Sequence, residues 1–141
     1  MSSKGTRGAK ATLQAIDGGL SGVPKAPAHF KPDMVAEWNV IAAELVERRI
    51  LTASMVGLVE TYVSALWMVR EAQKEIAAIG LLVKTAHGMP KPNPACGTLK
   101  SAFEAVARLG AELGLTPAAR AKQGFSPKGG SNDDDAADLG L

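Results

Sequence analysis

The chain has 141 residues, the length of one domain, and its 46% apolar content leans on Ala, Val and Leu with only 4% aromatics; aliphatic contacts of that kind suit packed helices better than a β-sandwich. Its single cysteine, Cys96, excludes an intramolecular disulfide and a multi-cysteine zinc site. The net charge of +2 divides into +4 over residues 1–31, +1 over 32–123 and −3 over 124–141, so the ends are oppositely polarised around a neutral middle and point to two different partners.

Residues 1–30 are rich in Gly, Ala, Ser and Pro without a sustained period and read as a disordered basic arm. Lys4, Arg7, Lys10 and Lys25, with Lys31 just beyond, face Asp17 alone. The arm lacks the apolar stretch of a signal peptide. "PKAPAHFKP" (24–32) holds three prolines and forms an extended lead-in to the first helix. That helix runs from about Asp33 to Arg49, with Met34, Trp38, Ile41 and Leu45 at helical spacing. Arg48 and Arg49 fall in its last turn, where cations complement the dipole.

Thr52 reads as the N-cap of a second helix that continues to about Ile79, ahead of Gly80. At roughly 40 Å this helix is too long to be buried along one small domain. Its main stripe is Met55, Val59, Tyr62, Val63, Leu66, Val69 and Ile76; Trp67 sits at the edge, and Met68 and Ile79 fall outside. The surplus apolar surface needs another neighbour, which makes Tyr62, Leu66, Trp67, Met68 and Ile79 the candidate oligomerisation residues.

"LLVKTAHGMPKPNP" (81–94) is the non-helical connection: a short strand from Leu81, a turn at His87-Gly88, then Asn93 and Pro94 to start a third helix. That helix covers about 95–113 with Leu99, Ala102, Phe103, Val106 and Leu109 on one face, and Gly114 ends it. Thr116 caps again, Pro117 takes the first helical position, and a short helix carries Arg120 and Lys122. Residues 124–141 are Gly, Ser, Asn and Asp, too polar to offset ordering entropy, and read as a disordered acidic tail. The expected fold is all-α: a helical hairpin core of three main helices plus a short C-terminal helix over residues 31–123, flanked by disordered arms.

No catalytic constellation emerges. "GTRGAKAT" (5–12) and "GLSGVPK" (19–25) lack phosphate-loop spacing and do not lie between a strand and a helix. His29 and His87 have no partner at metal-ligand spacing, and Cys96 has no histidine placed beside it by any motif. The Asp133–Asp135 run lacks the alternation of a calcium loop. No apolar run approaches the ~18 residues of a membrane span, so no membrane association, cofactor or metal is expected.

Binding chemistry remains. The first two helices and their tight link match either a helix-turn-helix or an αα-hairpin made for packing, and "ASMVG" offers little to hydrogen-bond a base edge. The basic arm is the better electrostatic candidate, since each phosphate it neutralises releases counterions.

The ordered features then resemble a known family, the small subunit of phage DNA-packaging terminases. "KAPAHF" precedes a helix with a central Trp38; "ERRILTASMVGLVETYVSAL" is similar to the family's helix end, leucine-threonine cap and second helix with its tyrosine. "IAAIGLLVKTAHGMPKPNP" resembles its glycine stop, extended stretch and Asn-Pro helix start, and "RLGAELGLTPAARAK" its closing segment. The resemblance implies a non-enzymatic homo-oligomeric ring in the host cytoplasm that recognises the packaging site on double-stranded viral DNA and regulates the large subunit's ATPase and nuclease. Lys4, Arg7, Lys10, Lys25, Lys31, Arg48, Arg49, Arg120 and Lys122 are the DNA-binding candidates. Asp133, Asp134, Asp135, Asp138, Leu139 and Leu141 are the candidates for contacting the large subunit. The alternative is a dimeric helix-turn-helix transcription regulator.

Overall fold

Pro32 occupies the first turn of α1 (Pro32–Glu47), where its missing N–H costs nothing, and Asp33 beside it complements the helix dipole. The computed structural model describes residues 18–116. Lys4, Arg7, Lys10, the acidic tail and the expected helix beyond Thr116, with Arg120 and Lys122, lie outside the described residues.

α1 ends earlier than the sequence suggests, and the two arginines lie past its last turn. Arg48 is the C-cap, and Arg49 adopts a left-handed conformation with φ of 59°. The Arg49 N–H donates to the Val46 carbonyl and the Ile50 N–H to that of Leu45, at 2.9 and 3.1 Å. These two bonds define a Schellman turn, and buried Leu45 and Ile50 supply its apolar contact.

Thr52 does not cap the second helix directly. It precedes a 3₁₀ turn, Ala53–Met55, and its hydroxyl meets Ser54 Oγ at 3.0 Å. α2 (Val56–Ile79) follows and ends at Gly80. Chain direction then reverses through a β-hairpin, β1 (Leu82–Lys84) and β2 (Pro90–Pro92), paired antiparallel with Leu82 opposite Pro92 and Lys84 opposite Pro90. The second strand contradicts the ordinary expectation for a proline-rich stretch; prolines at alternate positions turn their missing N–H groups away from the partner strand. Gly88, at φ 76°, supplies the left-handed residue of the hairpin loop.

Asn93 then starts α3 (Pro94–Glu112): its side-chain oxygen accepts from the Ala95 N–H at 3.0 Å. Its Nδ2 donates to the Gly80 carbonyl at 2.9 Å, so this one buried polar residue ties the end of α2 to the start of α3. At the opposite ends, a Cβ on Gly110 would stand 3.5 Å from the Tyr62 ring, which fixes α2 and α3 as antiparallel neighbours. Buried Ala65 and Ala72 on α2 and Ala102 and Gly110 on α3 keep the helices close. α3 ends in a second Schellman turn, with Gly114 at φ 71° where α1 has an arginine.

The core joins the inner face of α1 (Met34, Trp38, Ala42, Leu45) to Ile50, Leu51, Val59, Val63 and Leu113. Residues 18–30, which composition reads as arm, lie along α1 as a strap. The Leu20 N–H donates to the Leu51 carbonyl at 2.8 Å, and Trp38 Nε1 to that of Pro24 at 2.9 Å. Phe30 is buried edge-to-face against Trp38, ring centroids 5.9 Å apart. Ile41 is only half-buried, and Phe103, expected on the inner face of α3, is 50% exposed.

Candidate nucleic-acid interface

Chain direction fixes where the described body joins the segments on either side of it. The strap enters beside Thr52, bridged by Gly19, at the corner between α1 and α2. The segment carrying Lys4, Arg7 and Lys10 is joined to the body there. α3 also finishes at this end, with Leu113 and Leu115 packed in the same core, so the segment carrying Arg120 and Lys122 is joined from this end too. Arg49 is exposed at the corner.

Arg48 is differently placed. One arm of its half-buried guanidinium pairs with Glu44 a turn earlier, and Nη1 is buried with no hydrogen-bond partner among the described residues. It caps the helix end. Lys25 is exposed midway along the strap, beside a shallow groove lined by Pro24, Pro27, Val35 and Asn39. Lys31 stands at the far end of α1, roughly 24 Å from the corner, with its ammonium 5.0 Å from the centroid of Trp67.

A further basic residue that the sequence did not single out, Arg70, clamps α2 to α1. Its guanidinium reaches Glu37 at 2.5 Å and Asp33 at 3.3 Å. Burial opposes ionisation of Asp33, but the hydrogen bond and charge of Arg70, with backbone N–H groups, hold its carboxyl below the usual value. Burial likewise opposes the Arg70 charge, and the two carboxylates outweigh it and raise its pKa.

The oligomerisation candidates separate into two groups. Tyr62 and Trp67 pack against the monomer's own core. Burial, then the charges of Glu37 and Glu44, push the Tyr62 phenol up. Leu66 is half-buried, whereas Met68 and Ile79 are exposed. Sequence periodicity missed the larger apolar exposure at the hairpin pole: Leu81, Leu82 and Met89 are 67%, 61% and 64% exposed.

Among the described residues, no three His, Cys, Asp or Glu side chains gather in a way that could hold a metal ion. His29 lies 3.6 Å from Glu60 on an exposed surface, and Cys96 Sγ lies 3.9 Å from the Leu81 carbonyl. Among the same residues, no helix is long and apolar enough to cross a membrane.

A family model described as phage terminase, small subunit, matches residues 35–129, from the first turn of α1 through α3 and beyond. The chain belongs to the phage terminase small-subunit family. Comparison with curated proteins and with solved structures returned no match. Membership gives the terminase chain a role in phage DNA packaging.

Proposed function

We propose that this small subunit is a non-catalytic, homo-oligomeric DNA-binding protein of the host cytoplasm. It recognises the packaging site on viral double-stranded DNA and regulates the large subunit's ATPase and nuclease. The corner between α1 and α2 is the DNA-facing pole: Arg49 projects there, and the segments bearing Lys4, Arg7, Lys10, Arg120 and Lys122 are joined beside it. Weak phosphate contacts repeated by every subunit sum through avidity. Base-reading side chains are scarce in the turn before α2, so specificity comes from bending or wrapping of DNA. The acidic tail, with Leu139 and Leu141, contacts the large subunit.

The observation that supports this reading best is Arg49 itself. A left-handed φ of 59° favours glycine, and α3 uses Gly114 at its equivalent position. An L-residue there costs about 1–2 kcal/mol, and no ion pair within the described residues offsets the cost. Retaining a cation at that position makes sense when its charge meets an anion outside the subunit. Arg49→Gly tests the idea, because it should raise the melting temperature while weakening binding to duplex DNA about tenfold. Higher stability with unchanged DNA affinity would remove the corner from the interface.

A further inference from the structure

The two edges of the β-hairpin are chemically unequal. Bonds at both ends of the ladder, Asn93 N–H to Leu81 carbonyl and Thr85 N–H to Met89 carbonyl, are each 2.8 Å. With period-two alternation, Val83 and Lys91 face each other as a bonded pair, and the backbone groups of Leu82, Lys84, Pro90 and Pro92 point outward. The outer edge of β2 therefore has no N–H to donate at Pro90 or Pro92. The outer edge of β1 has both N–H and carbonyl groups at Leu82 and Lys84. The hairpin's main contacts are internal, and a two-stranded hairpin alone is marginal in water. One edge is closed by proline, and one is open to a third strand.

We propose that the open edge of β1 is the docking strand for the chain's own acidic tail, residues 133–141. Charge complementarity selects this occupant. Lys84 and Lys91 are exposed and make no ion pair among the described residues. Leu81, Leu82 and Met89 expose apolar surface around them. The tail offers the matching set: Asp133, Asp134, Asp135 and Asp138 with Leu139 and Leu141. Length permits it as well. α3 spans roughly 28 Å from the hairpin to its far end, and the residues after Thr116 reach roughly 80 Å when extended. Backbone bonds to Leu82 and Lys84 supply affinity, and the lysines and leucines supply selectivity. The inference is independent of the packaging reading and would stand if the tail met no large subunit.

Amide hydrogen exchange on the full-length chain tests it, comparing wild type with a tail variant carrying Asp133→Ser, Asp134→Ser, Asp135→Ser, Leu139→Ser and Leu141→Ser. These substitutions lie outside the described body and leave its core untouched. The Leu82 and Lys84 amides should exchange at least tenfold faster in the variant, and Lys84→Glu with Lys91→Glu should reproduce the effect at Leu82. Equal exchange in wild type and tail variant would overturn the proposal. Protection that survives the tail substitutions and grows with protein concentration would overturn it too, by giving the edge to a second copy.

Discussion

Arg49 and Trp38 show how single side chains divide the labour between holding the fold and serving its surface. Replacing Arg49 by Gly removes left-handed strain without disturbing the two backbone bonds of the turn, so chemical denaturation should report a gain of about 1 kcal/mol. Unchanged or lower stability would mean the arginine packs usefully where it stands. Trp38 does the reverse: it is fully buried, and its indole N–H is the tether that holds the strap at Pro24. Trp38→Phe keeps most of the apolar volume but leaves that carbonyl unpaired, at a cost of about 1–3 kcal/mol, and proteolysis between Leu20 and Pro27 should accelerate. The helical spacing around Trp38 made its burial legible in the sequence. Its hydrogen bond was not, because a tether to a carbonyl in a proline-rich strap leaves no periodic trace.

Between elements, the Arg70 clamp sets how α1 lies on α2. The Asp33 carboxyl is held below its ordinary pKa of 3.8, so its contribution is fully present above that value and fades as pH falls through the lower folded pKa. The stability difference between wild type and Asp33→Asn, followed by urea midpoints from pH 7 to pH 3, should therefore be constant at neutral pH and shrink below about pH 4. A difference that grows on acidification would contradict the clamp. Apolar periodicity carries no trace of the clamp; only the antiparallel placement of α1 and α2 brings Arg70 to Asp33 and Glu37. The three long helices, by contrast, were readable from apolar spacing and from the Asn93-Pro94 start. β2 was not, because Pro90 and Pro92 argue against a strand unless they fall on its outward positions. Phe103 was misplaced for a related reason: it shares the spacing of Leu99 and Val106, but α3 presses small residues against α2 and leaves the larger ring outside.

At the scale of the molecule the body has two unlike poles. The α1–α2 corner exposes Arg49, while the hairpin pole exposes Leu81, Leu82 and Met89, with Ile79 just before them at 54% exposure. Of the surplus apolar residues on α2, Tyr62 and Trp67 pack within the monomer, whereas Met68 and Ile79 are exposed. Light scattering at moderate salt should give one species of many subunits, and Met68→Ser with Ile79→Ser should reduce its mass; a monomer or dimer in wild type would contradict the ring. The salt dependence of duplex DNA binding by the intact protein tests the DNA-facing pole most directly. A pole that works by neutralising phosphates predicts that log affinity falls linearly with log salt. Arg49→Gly should make that slope shallower by about 0.9 for each phosphate left without its arginine. A salt-independent affinity, or a slope identical in wild type and Arg49→Gly, would contradict the account.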